Sequence, residues 1–124
     1  MSKGKILVID DEDIVRMSCS RTLRPEGFEV SLAKNGVEGL KMASENMFDL
    51  VLTDLKMPDM DGIEVLRSIK EKWPKTEVII VTGYQTVDTA VKAIKLGANN
   101  YIEKPFTPDA LILAVTEALT GRQK

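Results

Sequence analysis

Histidine is absent from this sequence of 124 residues, and cysteine occurs only once. Without histidine the chain has no Ser-His-Asp or Cys-His catalytic site, no His-ligated zinc and no phosphohistidine of its own. The lone Cys19 has no partner for an internal disulfide. It lies among apolar residues at helical spacing, which favours a small core side chain over a reactive thiol. Any chemistry must therefore rely on carboxylates, hydroxyls and lysines.

Long apolar runs and a surplus of basic residues are missing as well. No run approaches the roughly 18 apolar residues that a membrane span needs, and the run at 6–9 is too short for the core of a signal peptide. The net charge is −2, with lysine and arginine spread along the chain, so nothing points to nucleic-acid binding. We therefore expect a cytoplasmic protein with no membrane segment and no direct nucleic-acid partner.

Short apolar runs alternate with segments of helical periodicity, and no linker or repeat divides the chain. Strands are predicted at residues 5–9, 28–33, 50–53, 78–81 and 100–103. The helices between and after them carry these inner faces: Val15, Cys19, Thr22 and Leu23; Val37, Leu40 and Ala43; Ile63, Leu66, Ile69 and Trp73; Val87, Ala90, Val91 and Ile94; Leu111, Ala114, Val115, Ala118 and Leu119. This order predicts one α/β domain over residues 1–124, a doubly wound (βα)5 unit with a five-stranded parallel sheet of order 2-1-3-4-5.

Residues at three helix ends support these boundaries. Asn35 is expected to cap the second helix, and Asp61 with Gly62 to begin the third. Gly97 is expected to end the fourth.

Polar side chains follow four of the five predicted strands. Asp10 and Asp11 follow the first, Asp54 the third, Thr82 ends the fourth and Lys104 follows the fifth. In open α/β sheets, ligands bind outside the carboxyl ends of the strands. With strands one, three and four as neighbours, these groups are expected to meet in one cleft.

The residue types in this cleft favour phosphoryl transfer. Carboxylates placed together repel one another, and a hard cation such as Mg²⁺ relieves that repulsion while binding phosphate oxygens. Lys104 adds a positive charge suited to phosphate, and Thr82 adds a hydroxyl donor. In such a site the protein supplies position and charge, and one carboxylate is the nucleophile.

Each residue also has a simpler interpretation, which the sequence leaves open. Asp10 and Asp11 can cap the first helix, with Glu12 and Asp13 complementing its dipole. Asp54 can cap the loop that follows it. Thr82 can be an ordinary threonine at the end of a strand, and Lys104 can be an ordinary solvated lysine. Their coincidence at one edge of one sheet is what favours a functional site.

Taken together, the motifs resemble the receiver domain of two-component response regulators, a flavodoxin-like fold. The similarity runs over about residues 5–119, with the motifs in family order. They are Ile-Leu-Val-Ile-Asp10-Asp11-Glu12, Leu-Val-Leu-Thr-Asp54-Leu-Lys-Met-Pro58, Met60-Asp61-Gly62, Val81-Thr82-Gly83 and Tyr101-Ile-Glu-Lys104-Pro105-Phe106.

The resemblance implies a role for each matching residue. Asp54 would be the phosphoacceptor, and Thr82 and Lys104 would bind phosphoryl oxygens. The Mg²⁺ ligands would be Asp11 directly, Asp54, Asp10 through water, and the backbone carbonyl of Lys56. The Lys104-Pro105 bond would be cis. Lys56 and Tyr84 occupy positions that in this family tune hydrolysis of the acyl phosphate, and their identities leave its lifetime open. The resemblance also implies slow autodephosphorylation, without an enzyme activity toward other substrates.

The resemblance also implies partners. A sensor histidine kinase or histidine phosphotransfer protein would donate the phosphoryl group. Thr82 and Tyr101 would then switch the face made by the fourth helix, fifth strand and fifth helix, toward an output domain, a downstream protein or a phosphorylation-dependent homodimer. For Tyr101 the alternative is an ordinary half-buried aromatic at the sheet edge. The sequence leaves open whether the domain stands alone or belongs to a longer regulator. Residues 86–98 resemble receivers attached to ATPase-type transcriptional activators more than other receivers.

Three rival functions follow from the same fold. A haloacid-dehalogenase-like phosphatase needs a second aspartate two residues after the nucleophile, where this chain has Lys56. A nucleotide or flavin binder needs a glycine- or hydroxyl-rich loop after the first strand, where this chain has Asp-Asp-Glu-Asp. A receiver fold kept only for protein interaction would not need the acidic pair, Asp54, Thr82 and Lys104.

Overall fold

The computed structural model describes residues 2–83 and 87–121, apart from the side chain of Val87. Within this range the strands are β1 (Lys5–Ile9), β2 (Glu29–Ala33), β3 (Leu50–Thr53), β4 (Glu77–Thr82) and β5 (Asn100–Glu103). The helices are α1 (Asp13–Leu23), α2 (Gly36–Glu45), α3 (Gly62–Lys72), α4 (Val87–Lys95) and α5 (Pro108–Gly121), with a 3₁₀ turn at Arg24–Glu26. The predicted alternation is confirmed.

The strands form one parallel sheet in the order β2-β1-β3-β4-β5, as predicted. Ile9 pairs with Ala33 on one side and with Thr53 on the other, so the carboxyl ends of neighbouring strands lie level. Thr53 in turn pairs with Ile80 of β4. This register brings the residues that follow β1 and β3 to the same edge of the sheet.

Two apolar layers cover the sheet, one on each face. The layer under α1 and α5 includes Ile6, Val8 and Leu111, and the layer under α2, α3 and α4 includes Leu7, Ile9 and Leu66. Alternate residues of one strand thus enter opposite layers, which is why β1 and β4 are apolar without interruption. Among the described residues, both faces of the sheet are thus covered by apolar packing.

Local signals explain where three helices begin or end. The Asn35 side chain accepts a hydrogen bond from the Glu38 N–H at 2.8 Å and caps α2, and Asp61 accepts one from Ile63 at 2.7 Å and caps α3. Gly97 lies just beyond α4 with φ +107°, a backbone conformation that favours glycine. All three predicted boundaries are confirmed.

Several predicted inner-face positions are wrong. Val37 of α2 is 60% exposed, and Val91 and Ile94 of α4 are 45% and 50% exposed. In α4 the fully buried residue is Ala93, because the helix is turned so that its larger apolar side chains face outward. Val87 lies outside the described side chains. Among the described helices, none is long and apolar enough to span a membrane.

Two other differences are small. β2 begins at Glu29, one residue after the predicted start, although Phe28 is buried in the core. Trp73 follows α3 as its C-terminal cap and packs against the core from that position.

Candidate phosphoryl-acceptor site

The residues that directly follow β1, β3 and β5 are hydrogen-bonded through their backbone to neighbouring strands, and these bonds position their polar side chains. The Asp10 N–H donates to Ala33 at 3.1 Å, and the Asp54 N–H donates to Ile9 at 3.1 Å. The Lys104 N–H donates to the Thr82 carbonyl at 3.0 Å. The first residue after each of these strands is therefore held as firmly as the strand itself, and its side chain points into the space beyond the sheet.

The ammonium group of Lys104 is the centre of this site. Its Nζ lies 2.8 Å from Asp10 Oδ2, 3.0 Å from Asp54 Oδ2 and 3.1 Å from Glu12 Oε1. Asp10 and Asp54 are buried, at 2% and 6% exposure, whereas Glu12 is exposed. The strand ends predicted to converge do so, and a half-buried cation binds two buried anions there.

Burial and pairing shift two of these groups away from their ordinary ionisation. Burial raises the pKa of Asp10, and the repulsion of Asp54 adds to this, against hydrogen bonds from Lys104 and the Glu12 N–H that lower it. For Lys104, burial lowers the pKa, but hydrogen bonds to Asp10 and Asp54 outweigh it and raise the pKa above its ordinary value. Lys104 therefore stays charged across the physiological range.

The two carboxylate oxygens of Asp54 have different surroundings. Oδ1 accepts a hydrogen bond from the Leu55 N–H at 2.7 Å and a longer one from the Lys56 N–H at 3.4 Å. Oδ2 contacts the Lys104 ammonium. The backbone thus fixes the orientation of the carboxylate, and Oδ2 is the oxygen directed toward charge.

An open cleft of about 640 Å³ leads from solvent to these groups. Asp11, Asp54, Lys56, Thr82 and Lys104 line it together with apolar residues of α1 and of the segment after β5. Each of the predicted site residues except Asp10 and Tyr101 therefore borders one cavity, and Asp10 reaches it through Lys104. Asp54 is therefore accessible to a ligand from this cleft.

One cluster of carboxylates is suited to a divalent cation, and its membership differs from the predicted trio. Ligand atoms of Asp10, Glu12 and Asp54 lie within 4.8 Å of one another. Oxygen donors of this kind are what Mg²⁺ takes, so the residues present fit a cation. Asp11 is exposed and borders the cleft without joining this cluster, and its direct ligation stays a prediction.

Glu12 was missed as a site residue by sequence reasoning, which assigned it to the dipole of α1. It is the residue before that helix, and its side chain makes no capping hydrogen bond. It turns instead toward Lys104, 92 residues away in the chain. The signal in the sequence was the row of acidic residues after β1. Glu12, the third of them, can be assigned to the site only when the position of Lys104 after β5 is known.

The two predicted switch residues lie at different depths. Thr82 is 1% exposed at the end of β4. Tyr101 is half-buried on β5, opposite Ile80, and its hydroxyl lies 3.4 Å from the Thr89 hydroxyl of α4. Tyr101 therefore connects the sheet to α4. Tyr84 lies outside the described residues.

The peptide bond between Lys104 and Pro105 is cis, as predicted. Arg16 donates a hydrogen bond to the Asp10 carbonyl at 2.5 Å and pairs with Asp13. Asp10 Oδ1 accepts from the Glu12 N–H at 2.9 Å. The carbonyl and the side chain of Asp10 are thus both hydrogen-bonded to residues at the start of α1 and just before it.

Comparison with known proteins agrees with this geometry. The family model described as the response regulator receiver domain matches residues 6–116. The chain belongs to this family, whose members are the phosphoryl-accepting signalling domains of two-component phosphorelays. The predicted family, fold and general function are confirmed.

Individual relatives show the same relationship. The transcriptional regulatory protein ZraR of Klebsiella oxytoca is 46% identical over 114 residues, which cover 92% of this chain and 26% of that protein. A CheY-like receiver domain protein of Methanospirillum hungatei has a crystal structure similar at a TM-score of 0.94, with 35% identity and 98% of both chains covered. The beryllofluoride-activated NtrC4 receiver domain dimer has a TM-score of 0.91 and 40% identity, over 95% of this chain and 98% of that one.

The chain spans about a quarter of the length of curated relatives such as ZraR and an NtrX-like putative response regulator of Rickettsia conorii. It corresponds to one domain of these regulators.

Proposed function

We propose that Asp54 is the residue that accepts the phosphoryl group. The observation that carries this proposal is the placement of its Oδ2 atom, which is buried, 3.0 Å from the Lys104 ammonium and open to the cleft. Its other oxygen is held by backbone N–H groups, so the nucleophile is already oriented. Positioning of this kind supplies much of the rate enhancement in phosphoryl transfer.

In the proposed reaction, Asp54 Oδ2 attacks the phosphorus of a phosphohistidine on a partner kinase or phosphotransfer protein. A P–O bond forms, the P–N bond breaks, and its electron pair leaves with the imidazole, which is protonated. Lys104 stays beside the phosphoryl oxygens and Thr82 donates its hydroxyl to one of them. Both groups offset charge that builds up during transfer.

The residues that would hold a cation are Asp10, Asp11, Asp54 and the backbone carbonyl of Lys56, with Glu12 beside them. When bound there, Mg²⁺ supplies positive charge beside the phosphoryl oxygens. The contacts of Lys104 support this assignment, since one ammonium faces three carboxylates and leaves the site negative. Asp10 also holds Lys104 in place through its ion pair.

The proposed output surface is the face of α4, β5 and α5. Val91 and Ile94 of α4 are about half exposed and Leu113 of α5 is 60% exposed. Tyr101 joins this face to the sheet through its contact with Thr89. Movement of Thr82 toward a phosphoryl group would free space at the end of β4, and a change at Tyr101 would alter α4.

The partner on that face is proposed to be an output domain of the same regulator or a second receiver. The NtrC4 receiver domain, similar to this chain over nearly its full length, forms a dimer in the beryllofluoride-activated state. We place the domain in the cytoplasm and expect slow autodephosphorylation, with Lys56 beside the acyl phosphate and Tyr84 in the segment that follows β4.

Incubation with acetyl phosphate, followed by intact mass measurement, tests this proposal. We expect one added phosphoryl group that requires Mg²⁺ and is absent in Asp54→Asn. Asp49→Asn is the matched control, because Asp49 is a half-buried aspartate at the opposite end of β3, and it should accept the group normally. Phosphorylation of Asp54→Asn to the wild-type extent would overturn the assignment.

A further inference from the structure

The loop between β3 and α3 carries Lys56, and both of its ends are fixed against the sheet. At its start, Asp54 continues β3. At its end, the Gly62 N–H donates to the Leu55 carbonyl at 2.8 Å, and Gly62 lies so close that an added Cβ would be 2.1 Å from the Asp54 carbonyl oxygen. Between these points Lys56 and Pro58 are exposed, and Met57 between them is only partly buried against the core. Asp59 adds a polar contact to this packing.

Asp59 supplies a contact in the middle of that loop. Its Oδ1 accepts a hydrogen bond from the Gly36 N–H at 3.1 Å, and its Oδ2 accepts one from the Val37 N–H at 2.8 Å. Both carboxylate oxygens are thus directed at the first turn of α2. The next residue, Met60, packs on the same turn, where a Cβ on Gly36 would lie 2.9 Å from the Met60 Cβ.

These contacts are not needed to begin α2. Asn35 already caps that helix through its hydrogen bond with Glu38, and the Glu38 side chain accepts from the Lys34 N–H at 3.1 Å. These two hydrogen bonds are local in sequence, whereas Asp59 lies 22 residues from Val37. The long-range contact therefore has its main consequence for the loop and not for the helix.

We propose that Asp59 is a positioning residue, which ties the loop to α2 and thereby holds the backbone of Lys56 at the edge of the cation site. This inference rests on the proposed role of the Lys56 carbonyl as a Mg²⁺ ligand. Lys56 borders the cleft, and its N–H faces Asp54 Oδ1 at 3.4 Å. Only two residues, Met57 and Pro58, separate Lys56 from the anchored Asp59, so release of Asp59 lets the carbonyl turn away.

The ionisation of Asp59 agrees with this function. Desolvation raises the pKa of Asp59, but hydrogen bonds from backbone N–H groups, first among them those of Val37 and Gly36, together outweigh it and lower the pKa. The carboxylate is thus fully ionised near neutral pH, and both of its hydrogen bonds to the helix are charge-assisted.

Mg²⁺ titration of the isolated chain, followed by the amide NMR signals of Leu55 and Lys56, tests the proposal without any phosphodonor. The set is wild type, Asp59→Ala, Asp59→Asn and Asn35→Ala. For Asp59→Ala we expect the Mg²⁺ dissociation constant to rise roughly tenfold, as for residues that orient metal ligands. Asp59→Asn keeps one acceptor oxygen and should lie between wild type and Asp59→Ala.

Asn35→Ala is the matched control, because it removes a hydrogen bond from the same turn of α2 and leaves the loop contact in place. It should lower the melting temperature about as much as Asp59→Ala does and leave Mg²⁺ affinity unchanged. Equal loss of affinity in both variants would mean that Asp59 acts only through helix stability. Equal loss in Asp59→Asn and Asp59→Ala would mean that it acts only through its charge. Either result overturns the proposal.

The wild-type titration separates this proposal from the one on which it rests. If wild type binds no Mg²⁺, the cation site itself is wrong. If wild type binds Mg²⁺ and Asp59→Ala binds it equally well, the cation site stands and the positioning role of Asp59 fails.

Discussion

At the scale of single residues, the site is defined by an imbalance of charge. One ammonium, that of Lys104, contacts three carboxylates, two of which are buried. Paired buried charges are tolerated when their partners are close, but the surplus negative charge has no protein group to offset it within this cluster. The domain thus carries an electrostatic cost at Asp10 that a bound cation would relieve.

This cost leads to a prediction for Asp10→Asn. Because the pKa of Asp10 is raised in the folded protein, the folded state holds the proton more tightly than the unfolded state. Stability therefore falls as pH rises above the ordinary value of 3.8 and through the folded pKa. Without metal at neutral pH, the asparagine variant should be more stable by about 1 kcal/mol and should bind Mg²⁺ more weakly.

Urea unfolding in the presence of a chelator measures this difference. The gain should shrink as the pH approaches 4 (about the ordinary value for aspartate). A variant that is less stable than wild type at neutral pH would show that the ion pair with Lys104 outweighs the burial of Asp10.

Asp59 has the opposite sign of pH dependence. Its pKa is lowered in the folded protein, so its contribution to stability is present above its ordinary value of 3.8 and is lost as pH falls through the folded pKa. We expect the difference in melting temperature between wild type and Asp59→Asn to be largest near neutral pH and to vanish in acid. Thermal unfolding monitored by circular dichroism across that range is the measurement. A difference that persists unchanged in acid would contradict the assignment.

Sequence reasoning located most site residues because it needed only the end of each strand. Asp10, Asp54, Thr82 and Lys104 each adjoin a run of apolar residues whose limits are clear. Glu12 and Asp59 act through contacts with distant segments, to Lys104 and to the start of α2. Such contacts depend on how loops and helices pack, and no periodicity encodes them.

At the scale of elements, the strands were the most predictable part of the fold. Three of the five have the predicted bounds, β2 begins one residue later than predicted, and β4 extends one residue further at each end. Strands buried on both faces must be apolar throughout, so their limits appear directly in the sequence. The sequence of an amphipathic helix says less about which of its sides is buried. In α4, apolar residues cover a wide arc of the helix, so packing decides which of them face the core. Val91 and Ile94 were assigned inward for this reason, and Ala93 is the residue that is buried.

The junction between β3 and α3 gives a prediction at this scale. Gly62→Ala places a Cβ 2.1 Å from the Asp54 carbonyl oxygen, a backbone atom that cannot move without disturbing the site. We expect a loss of about 2 kcal/mol or more in the free energy of unfolding, as for overpacked sites. Gly121→Ala is the control, since an added Cβ there meets nothing within 4 Å. Chemical denaturation of both variants decides the matter, and equal stability would show that the junction can relax.

At the scale of the whole molecule, the chemistry and the proposed output lie on different faces. The cleft opens beyond the carboxyl ends of the strands, while the exposed apolar residues of α4 and α5 lie to the side of β5. Tyr101 and Thr82 occupy the strands between them. Under the proposed function, a signal formed at Asp54 would reach a partner that never approaches the cleft.

This separation predicts the behaviour of the isolated domain. With Mg²⁺ and beryllofluoride we expect dimer formation in light scattering, and we expect Ile94→Lys to prevent it. Met47→Lys is the control, because Met47 is an exposed apolar residue (87%) that precedes β3 and lies outside the α4, β5 and α5 face. If Ile94→Lys forms dimers as readily as Met47→Lys, the dimer uses another surface.

The central claim is that the phosphoryl group is bound to Asp54 as an acyl phosphate. Borohydride reduces an acyl phosphate with release of phosphate and converts the aspartate that carried it into homoserine, which peptide mass spectrometry can locate. After treatment with acetyl phosphate and Mg²⁺, we predict homoserine at position 54 and at no other aspartate. Homoserine at Asp10 or Asp11, with position 54 unchanged, would contradict the account.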